Sequence, residues 1–109
     1  MNRFIFISLL ILLTFIVSTH ESLAETNLDV YINDFYSKSK EARKILNEIE
    51  TNLKEGSRKN LCSKQREAAR LGLSANKSLI KAFEIRKTEP PMKAIKSNQK
   101  RWESILNEC

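Results

Sequence analysis

Histidine, glycine, proline and cysteine are all scarce in this chain of 109 residues, which has one His, two Gly, two Pro and two Cys. Each scarcity removes a class of function. Two glycines, Gly56 and Gly72, cannot build a glycine-rich phosphate loop. With so few turn formers and no stretch of apolar–polar alternation, β-strands have no support. Two cysteines cannot supply a structural zinc site, and no CxxCH haem-attachment pattern occurs. Aromatic residues are 7% of the chain and seldom accompany its bases, so stacking on single-stranded nucleic acid is poorly supported. Long hydrophobic runs are missing as well. The longest, Phe4 to Val17, has fourteen residues including Ser8 and Thr14, against about 20 for a membrane-spanning helix.

That run makes better sense as part of a leader. Met1-Asn2-Arg3 is a short positive start, and residues 18–24 form a polar exit ending in Ser22-Leu23-Ala24. Small residues there occupy the positions that a signal peptidase reads. Residues 1–24 are therefore expected to be a cleaved signal peptide, leaving 25–109 as a single domain outside the cytoplasm, periplasmic or secreted. An uncleaved membrane anchor is the alternative. Cleavage would remove His20, the one histidine, and with it histidine-based catalysis.

Eighty-five residues bury too small a core to be comfortably stable alone. An oxidising compartment offers a remedy, because Cys62 and Cys109 form an even pair and are expected to join in a disulfide.

Apolar periodicity after the leader is helical. Leu28, Ile32, Phe35, Ser39, Ala42, Leu46, Ile49 and Leu53 step by alternating fours and threes, one seam of a helix broken only by Ser39. This predicts a helix over about 27–55, opened by Thr26 or Asn27 and closed at Gly56. A second helix over about 58–87 is opened by Ser57 and carries Ala68, Gly72 and Ala75 on one face, where another helix could approach closely. Thr88-Glu89-Pro90-Pro91 breaks the chain. A third helix over about 91–107 groups Met92, Ile95, Trp102, Ile105 and Leu106, with Asn98 and Gln99 interrupting the face. The expected fold is all-α, a small up-down-up three-helix bundle with one disulfide.

That topology strains the disulfide. Measured from the proline turn, the arm to Cys62 is about six residues longer than the arm to Cys109, a mismatch of about 9 Å. Helix two should end near Phe83, or the residues before Cys109 should unwind, or both.

Charge is divided unevenly. Residues 25–57 carry seven acids and five bases, whereas residues 58–101 carry thirteen bases and three acids. The chain's net charge of +6 thus arises wholly from the C-terminal part of the sequence. Arg70, Lys77 and Lys81 on helix two, with Lys93, Lys96, Lys100 and Arg101 on helix three, are the candidate anion- or partner-binding residues. Arg66 and Arg70 with Glu67, and Lys81 with Glu84, are expected as local ion pairs. Asp34 and Lys38 suggest another, solvated pair. Asn76-Lys77-Ser78 matches a glycosylation sequon.

No catalytic constellation, metal or cofactor is indicated; Ser63 beside Lys64 is a thin basis for a serine–lysine arrangement. The expected function is therefore a small exported, non-enzymatic interaction module using a basic surface on helices two and three. A peripheral binder of anionic membrane or envelope polymer is the alternative, and a small enzyme without a recognisable motif comes third. Nucleic acid is disfavoured by export. Reducing the Cys62–Cys109 bond, which closes about 47 residues, should lower unfolding free energy by about 4 kcal/mol in the chain-entropy limit, as read by urea titration with and without reductant.

Overall fold

The computed structural model describes the backbone of residues 2–109 and the side chains of residues 27–109. Among the described residues there are three helices and no strand: α1 (Asn2–Lys54), α2 (Leu61–Arg86) and α3 (Met92–Asn107). The helix expected to open at about residue 27 instead continues upstream of it. Nothing in Glu25-Thr26-Asn27 forbids helical backbone, and the capping side chains expected there are not needed when the chain arrives already helical. The leader expectation concerns residues 1–24, whose side chains lie outside the described residues. No helix among the described residues is long and apolar enough to cross a membrane.

Helix ends follow the local chemistry. At the end of α1, Gly56 takes φ +78°, its N–H donates to Leu53 C=O at 3.1 Å, and Ser57 N–H reaches Asn52 C=O at 2.8 Å. This left-handed closure is one that glycine adopts without steric cost. Helix α2 begins at Leu61, later than expected, because Arg58–Asn60 form a turn in which Asn60 has φ 58°. Asn is among the few residues that tolerate this region. Ser57 therefore does not open α2; its Oγ accepts from the Lys59 N–H at 3.4 Å.

Helix α2 packs against both neighbours, while no Cα of α1 comes within 8 Å of one in α3 among the described residues. Contacts between α1 and α2 pair Tyr31 with Lys81, Asp34 with Ser78 and Lys38 with Ser74, so numbers fall along one helix as they rise along the other. Cys62 and Cys109 are joined by a disulfide, with Cα atoms 5.5 Å apart. Helix α2 does not stop near Phe83; it reaches Arg86. The arm mismatch is absorbed elsewhere. Asn76, ten residues before the end of α2, bonds to Asn98, only six after the start of α3. The Lys87–Pro91 connection thus returns along α2 by about 6 Å before α3 begins. At the far end, Cys109 lies outside α3, where non-helical backbone reaches further per residue.

The core is small in both number and size of side chains. Ala42, Ala68, Ala69, Ala75 and Ala82 are buried, joined by Ile45, Ile49 and Ile95. Alanine on facing helices lets the backbones approach, but it removes little apolar surface from water. The seam expected on α1 is accordingly split. Ala42 and Ile49 face α2 together with Ile45, whereas Leu28, Ile32, Phe35 and Leu46 are only half-buried, and Leu53 is 44% exposed. A straight helix drifts away from a strict alternating three–four repeat, and a single neighbour covers only part of the stripe.

Gly72 has a specific role. A Cβ added there would overlap Cε2, Cδ2 and Nε1 of the Trp102 indole. Trp102 in turn packs on the cluster of Ile45, Ile49 and Ala68. Gly72→Ala should therefore destabilise the fold by about 1–3 kcal/mol through overpacking, even though alanine favours helix. The check is a lower midpoint in urea with a red-shifted Trp102 emission.

Candidate functional site

All seven candidate basic residues are exposed, but they do not form one surface. At 100° per residue, Arg70 and Lys77 lie on the face of α2 turned away from Ala68 and Gly72. Lys93, Lys96 and Lys100 form a row on the far side of α3 from Ile95 and Trp102. Lys81 is partly committed within the fold, its Nζ standing 5.5 Å from the centre of the Tyr31 ring, a cation–π arrangement. Arg101 turns the other way from the lysine row and lines a cavity with Arg43.

The local ion pairs expected on α2 do not form. Among the described residues, the pairs within contact distance are Asp34–Lys38 at 2.9 Å and Glu50–Lys54 at 3.3 Å. Arg66, Arg70 and Lys81 therefore keep their charge unneutralised by Glu67 and Glu84. Adjacent positions such as Arg66 and Glu67 diverge around a helix, and Lys81 is drawn to Tyr31 instead.

Asp34 and Lys38 do more than the solvated pair expected of them. Ser78 Oγ donates to Asp34 Oδ2, and Lys38 Nζ donates to Ser74 Oγ at 2.8 Å. Two i,i+4 pairs, one per helix, thus interlock across the α1–α2 contact. The Ser78 hydrogen bond, and then that from Lys38, hold the Asp34 carboxyl below its usual 3.8. Sequence reasoning missed this clasp, although the matching spacing of Asp34/Lys38 and Ser74/Ser78 was available to suggest it.

A second polar connection explains why Asn98 interrupts the apolar face of α3. Asn98 Oδ1 accepts from Asn76 Nδ2 at 3.0 Å and from Trp102 Nε1 at 2.9 Å. Asn98 therefore satisfies a buried amide and the indole N–H at once. Gln99 bonds to Glu103 at 3.0 Å on the exposed side. Asn76 is 8% exposed, and its Nδ2 is the atom to which a glycan would attach. The sequon is thus incompatible with this packing.

Among the described residues no group of His, Cys, Asp and Glu could hold a metal ion. Compared with known proteins, the chain matches no family model, no curated protein and no solved structure.

The clasp has a defined pH dependence. Because the folded Asp34 pKa lies below its ordinary value, its contribution to stability is complete above the unfolded pKa, about 3.9. It is lost as pH falls through the lower folded value. With 35% of the Asp34 side chain still in water, screening limits the effect to about 0.5 kcal/mol. Urea midpoints measured between pH 6 and 2 should fall on acidification, and Asp34→Asn should lower the neutral-pH midpoint and flatten that fall.

Proposed function

We propose that this chain is a small exported, non-enzymatic interaction protein that binds an acidic protein partner through the lysine row on the outside of α3, with the bases of α2 adding to its field. In this reading residues 1–24 are a cleaved leader, and residues 25–109 form one up-down-up helical domain. The opposed numbering of the α1–α2 contacts and the disulfide between the start of α2 and the end of α3 support that topology. The disulfide also suits an oxidising compartment.

One observation carries the functional reading. Lys93, Lys96 and Lys100 stand in a row on the outer side of a helix whose opposite side anchors it to the domain. A row at i, i+3 and i+7 offers three ammonium groups to a single acidic surface while the scaffold holds them in register. Arg70 and Lys77 on the open face of α2 extend the positive field. Such contacts steer encounter and are screened by salt.

A peripheral binder of anionic membrane or envelope polymer remains as the second reading, because the same row would meet lipid phosphates equally well. Photocrosslinking in the native compartment separates the two. A probe placed at Lys96 should give a discrete protein adduct, and one at Glu50 should not. Lys93→Glu with Lys100→Glu should abolish capture by the probe at position 96, and charge reversal of all three lysines in the probe-free protein should weaken binding to the identified partner by about tenfold or more. Lipid adducts in place of protein would favour the membrane reading, and adducts unaffected by charge reversal would overturn the basic-row reading.

A further inference from the structure

On the side of α2 opposite Arg70 and Lys77, a groove of two hollows shares Phe35 as a wall: one lies between α1 and α3 over Gly72, and the other is walled by α1 and α2 alone. The part beside α3, about 450 Å³, is lined by Phe35, Leu46 and Trp102 together with Arg43 and Arg101. The part beyond, about 160 Å³, is lined by Leu28, Ile32, Leu79 and Phe83, with Arg86. Neither lining contains an Asp or a Glu. The groove exists because α3 has 16 residues against 26 in α2 and contacts only α2 through its backbone.

Length, shape and charge narrow what could lie there. From Leu28 to Leu46 the wall runs about 27 Å, the length of a helix of about 18 residues. A trough between helices accepts the ridge of another helix, presenting apolar side chains at i, i+3, i+4 and i+7. Three arginines among the lining residues, Arg43, Arg86 and Arg101, with no carboxylate beside them in either lining, call for carboxylates flanking that ridge. We propose that the groove docks an amphipathic helix of a protein partner, apolar along one face and bordered by Asp or Glu, which adds a fourth helix to the domain. A second copy of this chain is a poorer occupant, because two molecules of net charge +6 repel each other on approach.

Trp102 is the one tryptophan of the chain and lines the groove, so its fluorescence reports occupancy directly. Two synthetic 18-residue helical peptides with the same leucine face serve as probes, one flanked by Glu and the other by Lys. The Glu-flanked peptide should shift Trp102 emission to shorter wavelength and saturate, and the Lys-flanked peptide should bind at least tenfold more weakly. Arg43→Glu with Arg101→Glu should reverse that preference. Lys93→Glu, Lys96→Glu and Lys100→Glu should leave it in place, since the row lies on the other side of α3; this separates the groove from the outer basic face. Reversal is a gain of binding that a misfolded variant would not show. Equal binding of both peptides, or no shift with either, overturns the proposal. So does a concentration-dependent Trp102 shift accompanied by dimer formation in sedimentation, or a shift produced by anionic vesicles but not by the Glu-flanked peptide.

Discussion

The contact between the Trp102 indole and the Cβ-less surface of Gly72 sets where α3 can lie. An indole needs room that only glycine leaves on α2, and its N–H needs an acceptor once it is partly withdrawn from water. Asn98 supplies that acceptor and also receives the buried Asn76 amide. One glycine, one tryptophan and two asparagines thus fix both the distance and the register of the α2–α3 pair. The disulfide at the far end holds the same register from Cys62 to Cys109. With the middle and the C-terminal end of α3 committed, the connection between the helices has to accommodate the difference in their lengths, and it does so by doubling back from Lys87 to Pro91.

A different economy governs the α1–α2 contact. Its buried residues are mostly alanine, so close approach replaces bulk, and little apolar area is buried per residue. Polar groups supply the specificity that such a smooth surface lacks. The Asp34–Lys38–Ser74–Ser78 clasp permits one register, since a slip by a turn would leave its partners unpaired. The cross-link between α2 and α3 matters more in a domain with so modest a core, because it restricts the unfolded chain without requiring any further burial.

The arrangement around a central α2 separates the molecule into two chemically different sides. On one, Arg70 and Lys77 stand on open helix surface, with the lysine row on the outside of α3. On the other, the apolar seam of α1 faces a trough lined in part by arginine. The first side offers charge without shape and the second offers both. A basic surface is general in what it attracts, whereas a groove of defined length and charge discriminates by fit.

Much of this fold was legible in the sequence. The all-helical class, the number of helices, the break at Pro90-Pro91 and the pairing of Cys62 with Cys109 follow from periodicity, turn residues and cysteine count, all of which are local or combinatorial. The close approach allowed by Ala68, Gly72 and Ala75 was legible too, since small side chains at helical spacing state what can come near. What could not be read was which part of each amphipathic stripe a neighbour would cover. Leu53 and Ala42 belong to the same seam, yet one is 44% exposed and the other wholly buried. Arg101 and the lysines of α3 read as one basic set, yet Arg101 lines the groove while the lysine row does not. Helical period assigns residues to a face, but the crossing of helices, and hence the clasp, the asparagine bridge and the groove, depends on packing between segments more than thirty residues apart or joined by a turn of unpredicted path. The sequence by itself determined which helices form and which cysteines meet, because those follow from backbone propensity and elimination. Only the tertiary structure decided that the backbones of α1 and α3 would stay apart, with Trp102 alone reaching the α1 cluster, because Trp102 on Gly72 and the disulfide hold α3 against α2.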